Sequence, residues 1–79
     1  MQRVVEEIRI KWKNGITSIQ IRVIEDKQGI RYRVVDVCEE GVTPIGVMVD
    51  STFVSYLKAK ALQNMYVDFF VNNYEGVVL

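Results

Sequence analysis

Arg9, Lys11 and Lys13 recur at every second position, Arg22 follows Gln20 by two residues, and Arg31 and Arg33 repeat that spacing. A period of two is that of a β-strand, in which alternate side chains share one face. On neighbouring strands about 4.8 Å apart these bases would gather into one patch, with Ser18 and Gln20 between them as hydrogen-bonding groups. The chemistry open to such a patch is phosphate contact. An arginine fork grips a phosphate at two points, and a row of cations displaces counterions from a polyanion. The expectation is a nucleic-acid interface built from Arg9, Lys11, Lys13, Gln20, Arg22, Arg31 and Arg33, with DNA favoured over RNA. The competing reading is a solvated sheet face, since an antiparallel sheet is polar on its wet side and lysines there discourage aggregation. Trp12 and Tyr32 fall on the opposite parity, so no aromatic platform accompanies the bases. That argues against stacking of single-stranded bases.

Other chemistry has little to work with. The chain has no histidine, one cysteine (Cys38) and no phosphate-cradling glycine loop. Zinc and thiolate clusters are thereby excluded. Glu6-Glu7, Glu25-Asp26 and Glu39-Glu40 are adjacent carboxylates, but neighbours in a strand point to opposite faces. Ser51, Ser55 and Cys38 have no base nearby in sequence to activate them. Cys38 reads as a small buried hydrophobe. The chain is therefore expected to be no enzyme, with no catalytic residue, no metal ligand and no cofactor.

The elements that must hold the basic residues are strands on either side of Asn14-Gly15. That dipeptide suits a type I′ turn, because both residues tolerate φ > 0. The turn sets a register in which Trp12 faces Thr17, Ile10 faces Ile19, Ile8 faces Ile21 and Glu7 faces Arg22. One face then carries Ile8, Ile10, Trp12, Ile19, Ile21 and Val23. The other carries the bases. Asp26-Lys27-Gln28-Gly29 reads as a second tight turn, and Ile30, Tyr32 and Val34 extend the apolar face. At Val34–Val35 the alternation slips; a β-bulge and a strand covered on both faces are both open. After a turn at Glu39-Glu40-Gly41, Ile45–Val49 reads as a fourth strand, placed at an edge or started by Pro44, which cannot donate to a ladder. Asp50-Ser51-Thr52 supplies capping side chains for a helix from Ser51 to Met65. Its apolar stripe is Phe53, Val54, Leu57, Ala61 and Met65, with Ser55 and Gln63 outside it. Beyond Met65, one long helix closed near Gly76 and a helix followed by a strand are equally compatible with the pattern.

Seventy-nine residues with 49% hydrophobic content make one domain, residues 1–79, of α+β class. The expected architecture is an antiparallel meander of three or four strands, with a C-terminal helix on one face. A chain of this size buries only about 60% of its unfolded surface. Self-association, as a dimer, is the simplest way to cover the apolar surplus after Met65. The net charge is zero but uneven. Residues 1–33 hold eight bases against four acids, and residues 34–79 two bases against six acids. No apolar run approaches the ~20 residues of a membrane span, and no signal core opens the sequence, so a cytoplasmic protein without membrane partners is expected. The order of strands then helix resembles two nucleic-acid-binding architectures. One is the three-stranded-sheet-plus-helix arm-binding domain of tyrosine recombinases. The other is the coactivator and Whirly type of single-strand binder, whose strand, cap, aromatic and Leu-Lys helix start Val47-Met48-Val49-Asp50-Ser51-Thr52-Phe53-Val54-Ser55-Tyr56-Leu57-Lys58 looks like. The second resemblance implies a dimer that binds single strands. The alternative function is a protein–protein or homo-oligomeric module that binds no nucleic acid.

Overall fold

The computed structural model of the chain describes residues 1–42 and 48–79. Three long strands form the meander: β1 (Gln2–Trp12), β2 (Gly15–Asp26) and β3 (Gly29–Gly41). A four-residue strand β4 (Asp50–Phe53), the helix α1 (Tyr56–Asn73) and a two-residue strand β5 (Val77–Val78) follow. The antiparallel sheet has the order β4-β3-β2-β1-β5. The α+β meander closed by one helix is thus the fold, with β5 added after the helix on the β1 edge.

The first hairpin differs from its expected register. Trp12 pairs with Gly15, so Lys13 and Asn14 form the tip, and Ile10 faces Thr17, Ile8 faces Ile19 and Glu7 faces Gln20. Neither tip residue has positive φ, so the turn is not type I′. Gly15 instead enters β2 at φ 156° and pairs with Gly41 of β3. A Cβ on Gly15 would lie 1.9 Å from the Glu40 carbonyl oxygen. The glycine serves the close approach of β3 rather than the turn. Because the register moves by two residues, every side chain keeps its face, and Ile10 and Ile19 remain on the same side. The second turn is as expected: Asp26 pairs with Gly29, and the Asp26 carboxylate accepts the Gln28 N–H at 2.8 Å.

No bulge occurs at Val34–Val35. Val34 pairs with Ile21 and Val35 with Gln20 in unbroken register, and both valines are buried, one on each face. The register shifts lie elsewhere, between Val4 and Glu6 in β1 and between Ile16 and Thr17 in β2. Asp36 is tied down: its carboxylate accepts the Val49 N–H at 2.8 Å, and its own N–H donates to the Val49 carbonyl. Of the expected strand Ile45–Val49, residues 43–47, including Pro44, lie outside the described residues, and Met48 and Val49 belong to no strand. Asp50–Phe53 does not cap a helix but pairs with Tyr32–Val35 of β3. The helix therefore starts five residues later than expected, at Tyr56, after the next available cap, where Ser55 Oγ accepts the Lys58 N–H. At the other end the long helix is the alternative realised: α1 continues through Asn73, so Val67, Phe69 and Val71 are helical and form no strand. The short strand that follows, Val77–Val78, was not expected; it pairs with Ile10 and Lys11.

The core lies between α1 and one sheet face. Ile10, Ile19, Ile21 and Val34 from the strands meet Ala59, Val67 and Phe70 from the helix. Trp12 packs edge-on against Phe70 and Tyr74, with ring centroids 5.9 and 5.5 Å away, and its indole N–H donates to Thr17 Oγ1. The helix is turned relative to the expected stripe. Its buried residues are Ala59, Gln63, Val67 and Phe70, whereas Leu57, Ala61 and Met65 face solvent. Small Ala59 lets the helix sit close to the sheet, and Phe70 supplies the bulk that Trp12 requires. Gln63 is fully buried because both ends of its amide are matched, by the Ile19 carbonyl and by Lys60 Nζ. Cys38, expected inside, is exposed.

Candidate functional site

The register places Arg9, Lys11, Gln20, Arg22, Arg31 and Arg33 on the sheet face away from α1. Arg9 pairs with Ser18 and Lys11 with Ile16, while Arg22 faces Arg33 and Ile24 faces Arg31. Ser18, Gln20, Arg22 and Ile24 share that face by alternation. Lys13 stands at the first hairpin tip, past Lys11. The other residues grouped by parity share one face but are spread along it, with Lys11 toward the first hairpin and Arg31 beside the second turn.

Three of the arginines do not stand free. Arg9 Nε donates to Glu39 Oε2 at 2.8 Å, across the intervening β2. Arg31 pairs with Asp26 over the second turn. Arg33 grips Asp50 at two points, Nε to Oδ1 at 2.7 Å and Nη2 to Oδ2 at 2.6 Å. Hydrogen bonding from Arg33 holds the Asp50 carboxyl below its ordinary range, and the same contact raises the Arg33 guanidinium. Glu39 raises Arg9 likewise. Arg22, directly across from Arg33, donates through Nε and Nη2 to Gln20 Oε1, and Gln20 in turn donates to Glu7. Gln20 is therefore a bridge between acid and base rather than a free donor. Ser18 is fully buried, with its hydroxyl unpartnered among the described residues. Lys11, Lys13 and Arg22 are the bases of this face that form no ion pair with a carboxylate among the described residues.

The carboxylates that neutralise this face are only partly signalled by the sequence. Asp26 precedes Arg31 by five residues across a two-residue turn, so their proximity follows from the turn itself. Glu39 and Asp50 lie 30 and 17 residues from their arginines and carry no local signal.

A second polar cluster lies under the helix. Glu6 shares the parity of Ile8 and Ile10 and so faces α1, where it accepts hydrogen bonds from Tyr56 Oη and from Lys60 Nζ, the latter at 2.9 Å. Lys60 also donates to Gln63 Oε1 at 2.8 Å, and Gln63 Nε2 donates to the Ile19 carbonyl at 2.9 Å. The hydrogen bonds from Tyr56 and Lys60 hold the Glu6 carboxyl below its ordinary value, against the smaller opposing effect of burial. The Tyr56 phenol is raised in return. This chain of four side chains pins β1 and β2 to the helix. It has the character of a structural clamp, since each member is engaged by another.

Among the described residues no group of three or more histidines, cysteines, aspartates or glutamates is placed to hold a metal ion. Among the described residues no helix is long and apolar enough to cross a membrane. No protein-family model, curated protein or solved structure matches the chain.

Proposed function

We propose that this chain is a self-associating binding module that works through protein surfaces rather than through a catalytic centre. The observation that carries the reading is the outer face of α1. Leu57 is 77% exposed and Met65 57%, and Val54 at the helix approach is 81% exposed. An apolar row on the solvent side of a helix whose inner side buries a glutamine supports the reading of that side as a contact surface. Phe69, Val71 and the terminal Val77, Val78 and Leu79 add further exposed apolar area. The test is sedimentation velocity of the full chain at micromolar concentration. A dimer or larger closed oligomer is the expected result, and a strict monomer would overturn the reading.

A second reading, contact with nucleic acid (DNA before RNA), is supported by Lys11, Lys13 and Arg22, which have no carboxylate partner among the described residues. With Arg9, Arg31 and Arg33 held by carboxylates, this reading involves three bases rather than six. Three phosphate contacts correspond to a slope of log K against log salt of about −3 on duplex DNA. The measurement is a salt titration of binding to duplex DNA by the wild type and by Lys11→Ala with Arg22→Ala. Weakened binding and a flatter slope in the variant are expected. Absence of binding at low salt would discard it.

A further inference from the structure

We propose that the partner of the outer helix face is a second copy of this chain, with the two α1 helices packed antiparallel about a two-fold axis at the level of Gln63. This deepens, and rests on, the reading of the chain as self-associating.

The argument starts from the arrangement of side chains on the helix. At about 100° per residue, Leu57, Asp68, Ala61, Asn72, Met65 and Lys58 fall within one arc of about 100° on the side opposite Ala59, Gln63, Val67 and Phe70. All six are exposed. Neither Lys58 nor Asp68 forms an ion pair among the described residues. Ten residues separate them along the helix, about 15 Å, too far to satisfy one another within a chain.

An isologous contact makes residue i of one copy meet residue j of the other, and j meet i. With the helices antiparallel and centred on Gln63, Lys58 stands level with Asp68 of the second copy, and the pair forms twice. Ala61 stands level with Met65 of the second copy, again twice, so a small side chain meets a long flexible one. Leu57 comes level with Phe69 of the second copy, which is 41% exposed at the edge of the same arc. A parallel arrangement would set Lys58 against Lys58 and Asp68 against Asp68. Charge and size complementarity therefore select the antiparallel pair. The opposite sheet faces, with Lys11, Lys13 and Arg22, stay open at the two ends of such a dimer.

The test is a charge exchange read by sedimentation velocity at a concentration where the wild type is dimeric. Lys58→Asp and Asp68→Lys, each alone, place like charges opposite one another at both ends of the helix pair, and each is expected to sediment as a monomer. Mixing the two single variants restores opposite charges at both ends, so a heterodimer is expected; the double variant K58D/D68K is expected to dimerise by itself. Circular dichroism of each variant checks that the fold is kept, and Leu57→Lys supplies an independent disruption of the same seam. A monomeric wild type would overturn self-association and this geometry together. A dimeric wild type whose single variants stay dimeric would overturn the geometry alone. So would single variants that become monomeric and are rescued by neither the mixture nor the double variant.

Discussion

At the scale of single residues, position rather than type decides what a side chain does here. Gly15 and Gly29 both adopt positive φ, at 156° and 109°, yet their surroundings differ. A Cβ at Gly15 would overlap the Glu40 carbonyl, whereas nothing lies within 4 Å of one at Gly29. Gly29→Ala should therefore cost only the conformational penalty, about 1–2 kcal/mol. Gly15→Ala, and more so Gly15→Val, should cost clearly more, because β2 and β3 must separate to admit the carbon. Urea unfolding of the two alanine variants gives the comparison, and equal losses would contradict it. Glu6 offers a second residue-scale test. Its folded-state pKa lies below the ordinary value of 4.5, held down first by Tyr56 and then by Lys60. A depressed carboxyl contributes stability above its unfolded pKa and loses it as pH falls through the folded one. Wild type should thus lose stability as pH drops below about 4.5, and Glu6→Gln should show a shallower loss over the same range. Thermal melts from pH 7 to pH 3 measure this. The residual slope in the variant belongs in part to Asp50, whose carboxyl Arg33 depresses in the same direction.

At the scale of elements, the strands were legible because alternation survives errors of register. The hairpin tip moved from Asn14-Gly15 to Lys13-Asn14, but a shift of two residues left Ile8, Ile10, Trp12, Ile19 and Ile21 on one face and the bases on the other. The helix was harder to place. Capping residues occur at both Ser51 and Ser55, and pairing of Ser51–Phe53 with the open edge of β3 decides between them. No local signal encodes that choice. The helix C-terminus shows a related conflict. Glu75 sits at φ 53°, in the left-handed region that glycine or asparagine usually fills, while the Tyr74 and Gly76 N–H groups both donate to the Phe70 carbonyl at 3.0 Å. Glu75→Gly relieves that strain, though it adds backbone entropy to the unfolded chain. A net gain of about 0.5–1 kcal/mol is expected, seen as a raised denaturation midpoint with unchanged slope. A loss of stability would mean that the Glu75 side chain contributes more than its backbone costs.

At the scale of the whole molecule, the largest departure from the sequence pattern is which side of α1 forms the core. The count of apolar residues at helical spacing favours Leu57, Ala61 and Met65, and the molecule turns that row outward. Packing makes the choice. The aromatic group of Trp12, Phe70 and Tyr74 closes one end, and the Glu6–Lys60–Gln63 chain fixes the other. Both depend on contacts between residues more than 40 positions apart, which periodicity within a helix does not register. The same limit applied to the basic face. Its bases were grouped correctly by parity, but Glu39 and Asp50 reach them only through the folded sheet. The inverted helix makes a sharp prediction about stability. Phe70 is fully buried in the core, so Phe70→Ala should cost about 3–5 kcal/mol. Met65→Ala removes a side chain of comparable apolar character from the solvent side and should change monomer stability by less than about 0.5 kcal/mol. Both are measured by denaturant unfolding at concentrations low enough for the chain to be monomeric, since association adds stability by mass action. At higher concentration Met65→Ala should begin to lose stability relative to wild type, because the second copy is then part of its surroundings. A large concentration-independent loss from Met65→Ala would place that residue inside the monomer core and return the outer face to ordinary surface.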